Sequence, residues 1–301
     1  MNTLGINIAD TFAEAFDMRG ARVIVTARSL EWARIAAASM TGFATSIIGC
    51  KVEAGLEADL TPEETPDGRP GASVLLFAFD ADGLGKRLLD RVGQSVLTCP
   101  TTACFDGLPS SSERVVVGGL LRYFGDRYQS SKYLAGTRYW RIPVMEGEFL
   151  IQESFGIEKG IGGGNFLILG KDEEATLAAA QSAVEAMRKV RSVILPFPGG
   201  IVRAGSKVGA KHYKKMIAST NDAYCPTLRG RPGVESALPD EAQSVLEIVV
   251  DGLSRAAIED ALRVGINAAC LPGVVGITAG NYGGKLGKHH FHLHALLAGG
   301  G

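Results

Sequence analysis

Glu247 is the residue in this chain whose surroundings point most directly to chemistry. It stands within Val245-Leu-Glu-Ile-Val-Val250, where every neighbour is apolar. A carboxylate built into a sheet strand loses hydration, which raises its pKa and readies it to exchange protons near neutral pH, as a general acid/base must. The same alternation allows a plainer reading, with Val245, Glu247 and Val249 facing solvent while Leu246, Ile248 and Val250 fill the core. Four of the five histidines lie in His289-His-Phe-His-Leu-His294. On a strand, His290, His292 and His294 share one face. Side chains two apart are separated by nearly 7 Å, about twice the strand rise, too far for three to reach one ion at about 2.1 Å each. No metal is expected there, and the tail reads as a strand with Phe291 and Leu293 turned inward.

The glycine clusters do not form phosphate loops. In Gly280-Asn-Tyr-Gly-Gly-Lys-Leu-Gly287, Leu286 stands where a metal-binding Ser or Thr is needed, and Gly160-Ile-Gly-Gly-Gly164 precedes a strand and not a helix. Both let backbone approach a flat ligand or a neighbouring subunit, or simply turn. The cysteines, Cys50, Cys99, Cys104, Cys225 and Cys270, contain no C-x-x-C pair and read as reduced and structural. Cys99 and Cys104, around the small polar turn Pro100-Thr-Thr-Ala103, are the pair where a reactive thiol is conceivable. His212 is the one histidine outside the tail, so no Ser-His-Asp or Cys-His constellation follows from spacing.

The 301 residues carry 31 Lys and Arg against 32 Asp and Glu, a formal charge of −1. That balance excludes a nucleic-acid surface or a polybasic membrane anchor. Hydrophobic residues at 46% and charged residues at 21% are ordinary for a globular chain, whereas 39 glycines imply many tight turns. Asp10, Glu14 and Asp17 interrupt the stretch where a signal core would lie, so a cytoplasmic protein is expected. The uncharged run Val264–Gly284 holds Pro272 and several glycines and reads as helix end, turn and strand instead of a membrane span.

The elements that must position these residues follow a repeated order. Strand Arg22–Thr26 leads into a helix capped by Ser29, then strand-like Ser46–Ile48. Strand Ala72–Phe79 leads into a helix after Asp80, and Val96–Cys99 closes that unit. The second half runs strand Asn165–Leu169, helix capped by Asp172, strand Ser192–Leu195. A Gly/Pro-punctuated excursion from Pro196 to Gln243 follows, then strand Ser244–Val250, a helix from Asp251 to Cys270 and strand Gly273–Thr278. Ser73-Val-Leu-Leu-Phe-Ala-Phe-Asp80 overlays Ser244-Val-Leu-Glu-Ile-Val-Val-Asp251, with Leu76 at the place of Glu247. The expected fold is α+β, two duplicated ferredoxin-like lobes of split β-α-β order with helices on one face of antiparallel sheets. Pro143 marks the boundary, giving an N-terminal lobe 1–144 and a C-terminal lobe 145–301.

Several blocks closely resemble the formylmethanofuran:tetrahydromethanopterin formyltransferases. They are Thr11-Phe-Ala-Glu-Ala-Phe16, Thr41-Gly-Phe-Ala-Thr-Ser46, Pro62-Glu-Glu-Thr-Pro-Asp-Gly-Arg-Pro-Gly71, Gly147-Glu-Phe149, Phe197-Pro-Gly-Gly-Ile-Val202, Ser219-Thr-Asn-Asp-Ala-Tyr-Cys-Pro226 and Ala279-Gly-Asn-Tyr-Gly-Gly-Lys-Leu-Gly287. The likeness runs nearly end to end, and is weaker over Glu113–Leu120 and Leu228–Gln243, where nothing is carried over. It implies two-lobed subunits assembled as dimers or tetramers, with substrate clefts between subunits. It further implies formyl transfer between the amine of methanofuran and nitrogen 5 of tetrahydromethanopterin, both as cosubstrates and without a prosthetic group. The family's catalytic glutamate falls on Glu247. Substrate-binding candidates within matching blocks or the Pro100 turn are Thr101, Thr102, Phe197, Ser219, Thr220, Asn221, Asp222 and Tyr224. The near-neutral charge suggests a methylotrophic bacterium, where the resemblance implies formaldehyde oxidation and hydrolase-complex subunits as partners. Two other classes remain as alternatives: a noncatalytic ligand-binding or assembly subunit, and a hydrolase using the histidine tail as a metal site.

Overall fold

The computed structural model describes residues 2–3, 5–205 and 207–298. The chain is mixed α+β, its strands pairing mostly antiparallel, with seven α-helices among the described residues. It separates into two compact units, Met18–Gly160, and Met1–Asp17 together with Ile161–Gly301. Both divisions fall inside long strands, Phe12–Thr26 and Ser154–Gly170. The sequence reading recognises only the apolar ends of these strands, because Glu14, Asp17 and Arg19 interrupt one and glycines the other.

In Met18–Gly160, the later part of Phe12–Thr26 pairs antiparallel with Gly71–Ala78 and Ala103–Asp106, and Gly71–Ala78 pairs with Glu53–Leu60. Helices Leu30–Thr41 and Ala81–Arg91 begin where Ser29 accepts the Trp32 N–H and Asp80 the Gly83 N–H, satisfying otherwise orphaned donors. Their faces, with Ala33, Ala37, Met40, Leu84 and Leu88, close over Val23, Val25, Val74 and Leu76. Leu84 and Leu88 are fully buried, each contributing on the order of 2 kcal/mol.

Two expected strands do not form, one becoming a helical turn and the other the turn that follows a helix. Ser46 accepts the Ile48 N–H on its hydroxyl and the Cys50 N–H on its carbonyl, so Ile47–Cys50 closes a helical turn and the strand begins at Glu53. Val96–Cys99 follows a π-helical turn, Val92–Val96, whose end Thr102 fastens by donating its hydroxyl towards the Val96 and Cys99 carbonyls. The strand is Ala103–Asp106 instead. Runs of three or four apolar residues do not separate helix from strand by periodicity alone.

In the other unit, Val274–Thr278, Ile161–Gly170, Ser244–Gly252 and Val193–Ile194 lie side by side, each antiparallel to the next. Helices Glu173–Met187 and Arg255–Ala269 cover one face, packing Ala183, Met187, Ile258 and Leu262 on Phe166, Ile168, Ile248 and Val250. Asp172 caps the first helix as expected. The second begins at Arg255 under Ser254, not at Asp251, which stays in its strand, fully buried, and accepts the Gly163 N–H. The C-terminal strand ends at His292 and helix Leu293–Ala298 follows, so His294 leaves the row it was expected to share. Phe291 is buried from the strand, as the alternation requires, and Leu293 is buried from the first position of the helix. Among the described residues no three His, Cys, Asp or Glu side chains group as metal ligands, and no helix is long and apolar enough to cross a membrane.

Candidate active site

The strand Ser244–Gly252 has two faces with different covers. Ile248 and Val250 point into the helix-side core. On the opposite face Glu247 lies in register with Leu167, and Leu167 with Thr278 on the strand beyond, forming one row across the sheet. Water does not own this face, because the excursion after Pro196 folds back over it. Val202 exchanges backbone hydrogen bonds with Glu247, its N–H donating at 2.8 Å and its carbonyl accepting at 2.9 Å. Leu238 and Ala242 then pack on Leu167 and Leu169, with Tyr224 and Val245 alongside, in a second small core.

Glu247 therefore sits half-buried at a cavity of about 30 Å³ that Asn221, Tyr224, Cys225, Val202 and Arg203 also line. The space suits one water or a formyl-sized group. Gly205 lets the wall close: at φ +58 a Cβ would be strained and would sit 3.1 Å from the Asn221 Cβ. Burial pushes the Glu247 carboxyl up to about 7, so its charged and neutral forms coexist near neutral pH. The folded chain then holds this proton more tightly than the unfolded one, so stability falls as pH rises from the ordinary 4.5 through about 7. Glu247→Gln removes that titration. Its melting temperature is expected to gain on the wild type across this interval, and a difference that stays constant with pH would refute the assignment.

Among the other sequence-derived candidates, Asn221 and Tyr224 share the Glu247 cavity. Ser219 pairs with Lys207 in the ribbon formed by Lys207–Val208 and Ala218–Ser219, and the Thr220 hydroxyl lies 3.2 Å from the Cys225 sulfur. Asp222 bridges Lys207 and Lys211, whose ammonium groups hold its carboxyl down to about 2. Asp222→Asn is accordingly expected to loosen this excursion and speed tryptic cleavage within residues 203–231, and wild-type cleavage rates would count against it. Phe197 leads, half-buried, into the turn Pro198–Gly200. Thr101 and Thr102 belong to the other unit and line a separate cleft of about 1410 Å³ with Arg28, Arg69 and Glu146. There the Thr101 N–H donates to Glu146, its carbonyl accepts from Arg69, and its hydroxyl accepts the Arg28 N–H.

Sequence reasoning passed over Glu14 and Asn165. Glu14, 1% exposed, accepts backbone N–H groups from Tyr282 and Gly284 on one oxygen (2.6 and 2.9 Å) and from Leu286 and Gly287 on the other (2.7 and 2.5 Å). Burial alone raises this carboxyl, but the four donors outweigh it and its pKa is lowered. The glycine loop thus spends its amides on a side chain of its own chain. Asn165 holds the loop's other end, accepting the Gly280 N–H at 2.6 Å and donating to the Gly280 carbonyl at 3.1 Å. The one available signal for Glu14 was a lone carboxylate inside the otherwise uncharged Thr11-Phe-Ala-Glu-Ala-Phe16.

Known proteins match this chain over nearly its whole length. A family model described as formylmethanofuran-tetrahydromethanopterin formyltransferase matches residues 1–144, and one described as its proximal lobe matches residues 147–296. The chain belongs to this formyltransferase family. A formylmethanofuran–tetrahydromethanopterin formyltransferase of Methylococcus capsulatus is 58% identical over 298 residues, covering 98% of this chain and 99% of its own. A component of the formyltransferase/hydrolase complex of Methylorubrum extorquens is 54% identical over 303 residues, covering 97% of this chain and 96% of its own. In the crystal structure of that organism's complex with methylofuran, the matching chain superposes at a TM-score of 0.95 with 53% identity, covering 99% of this chain and 98% of that one. The Methanosarcina barkeri formyltransferase superposes at 0.93 with 46% identity, covering 98% of this chain and all of that one (100%). Family membership makes this chain an enzyme, a transferase of formyl groups.

Proposed function

We propose that this chain transfers a formyl group between formylmethanofuran and tetrahydromethanopterin in a ternary complex, with Glu247 relaying the proton. The observation that carries the mechanism is a sheet carboxylate poised near pH 7 at a cavity sized for the reacting group. Nitrogen 5 of the pterin attacks the formyl carbon, a C–N bond forms, and the carbonyl oxygen gathers negative charge. Glu247 takes the proton that nitrogen 5 releases and returns it to the methanofuran nitrogen as that C–N bond breaks and the carbonyl reforms. No proton is consumed overall, and a carboxyl near neutrality serves both halves, a contribution on the order of 10²–10⁴ in rate. Holding the two carriers together supplies the larger share by converting a bimolecular step into a unimolecular one. Asn221 and Tyr224 line the reacting end, and their polar groups are the nearest candidates to meet the oxyanion. Phe197, Ser219, Thr220 and Asp222 would support the carriers beyond it, and Thr101 and Thr102 would bind substrate at the cleft they line in their own unit.

The same reading extends to architecture and setting. The order Ala103–Asp106, Met18–Thr26, Gly71–Ala78, Glu53–Leu60 in one unit and Val274–Thr278, Ile161–Gly170, Ser244–Gly252, Val193–Ile194 in the other supports duplicated ferredoxin-like lobes. The division at 144/145 is retained as the boundary of the duplicated sequence. We place the enzyme in the cytoplasm as a homo-oligomer, running these steps in reverse to pass formyl groups from the pterin to methanofuran beside hydrolase subunits. Support for those partners is that a relative is itself a component of a formyltransferase/hydrolase complex. Formyl exchange between the two carriers, followed by pterin absorbance, tests the activity. Binding of both carriers without exchange would favour the noncatalytic alternative.

A further inference from the structure

Two stretches 270 residues apart, Thr11–Phe16 and Ala279–Gly287, meet at one carboxylate. The loop they form begins beside the row that carries Glu247. Thr278 ends its strand in register with Leu167, which is in turn opposite Glu247, so the loop leaves the sheet about two strand spacings, roughly 10 Å, from the reacting strand. Asn165, on the same face, ties Gly280 down at both backbone groups. Glu14 then takes four amides between Tyr282 and Gly287 and fixes the remainder. Gly287 leaves no room for another seating, since a Cβ there would stand 2.4 Å from the Ala15 carbonyl and 2.8 Å from the Glu14 Cγ. Tyr282 is carried on this loop, half-buried, with its ring 6.3 Å from that of Phe16.

We propose that Glu14 is a positioning residue for formyl transfer, fixing the 280–287 loop so that Tyr282 borders the face on which Glu247 works. This rests on the reading of Glu247 as the proton relay. Its independent support is electrostatic: the Tyr282 phenol is raised by burial first, then by the charges of Glu247 and Glu14, so the phenol lies within the field of both carboxylates. Four charge-assisted hydrogen bonds to one buried carboxylate make a stiff clasp, because every loop amide that lets go is left without its acceptor. A stiff loop keeps a bordering side chain in reacting geometry, where displacements near 1 Å cost large factors in rate.

The test is a double-mutant cycle on kcat with Glu14→Gln and Tyr282→Phe, with KM for each carrier and melting temperature measured in parallel. Glutamine keeps one accepting oxygen but turns an NH₂ against two loop amides. Expected results are a kcat loss of about tenfold or more in Glu14→Gln and about fivefold in Tyr282→Phe, with the double variant no slower than Glu14→Gln. Amide exchange over residues 280–288 is expected to quicken in Glu14→Gln. Additive losses, a kcat within twofold of wild type in either single variant, or unchanged exchange would each overturn the proposal. A merely structural carboxylate would lower the melting temperature without the coupling to Tyr282. If Glu14→Gln does not fold, Glu14→Asp keeps both oxygens, retracts them by one methylene, and enters the same cycle with the same criteria. Glu247→Gln is run alongside. Full activity there sinks the relay itself, whereas its loss together with an additive cycle sinks only the positioning role.

Discussion

Glu247→Gln is expected to slow single-turnover formyl transfer by about a hundredfold or more, some 2.7 kcal/mol in the barrier, while both carriers still bind. Glutamine is nearly the same size and sits in the same strand, so Val202 keeps its two backbone bonds to position 247 and the cavity keeps its shape. What disappears is the ability to accept and return a proton. The wild-type rate should also depend on pH with an inflection near the carboxyl's value of about 7, and that inflection should vanish in the variant. Pre-steady-state pterin absorbance checks both. Transfer that survives the substitution within tenfold would leave the family assignment intact and remove Glu247 from the proton path.

Asp106→Ala is expected to be the most damaging of the stability variants, costing about 3–5 kcal/mol. The Asp106 side chain is entirely buried in the Met18–Gly160 unit and pairs with Arg114 at 2.6 Å. It also accepts the Leu108 N–H at 2.9 Å and the Gly156 N–H at 3.0 Å. Alanine leaves two buried amides and a part-buried guanidinium without this acceptor, and each abandoned group retains its full desolvation cost. Collapse cannot repair the site, because Gly156 already lies so close to the Leu108 carbonyl that a Cβ there would stand 2.1 Å away. Urea denaturation should show a lowered midpoint at nearly unchanged slope, with Asp106→Asn recovering part of the loss. A midpoint corresponding to less than about 1 kcal/mol would show that the turn rearranges around the missing carboxylate.

Much of the architecture follows from short-range chemistry and was legible in the chain itself. Ser29, Asp80 and Asp172 cap helices because a short oxygen-bearing side chain satisfies a first-turn amide three residues on, a local event. The alternation Val245 to Val250 put Glu247 on the face opposite Ile248 and Val250, since a strand's side chains have period two wherever the strand goes. Near-zero net charge, and the family blocks from Thr11 to Gly287, likewise needed no coordinates. Locality also explains the errors. Ile47–Cys50 is helical and Leu97–Cys99 a turn because Ser46 and Thr102 fasten the backbone there, which a short apolar run does not disclose.

The tertiary structure decided how deep Glu247 lies. A strand face is wet or dry according to what folds over it, and the cover is the aperiodic segment from Val202 to Ala242, whose Tyr224 and Leu238 reach the sheet only through long-range closure. That burial, not the strand, moves the carboxyl to about 7. The partners of Glu14 were hidden for the same reason. Four amides more than 260 residues away give no periodic signal along the chain, because backbone N–H groups are chemically identical at every non-proline position. Residue types and spacing determined which face Glu247 takes and where the helices capped by Ser29, Asp80 and Asp172 start; only folding determined what those groups meet, because desolvation and hydrogen bonding belong to neighbours in space.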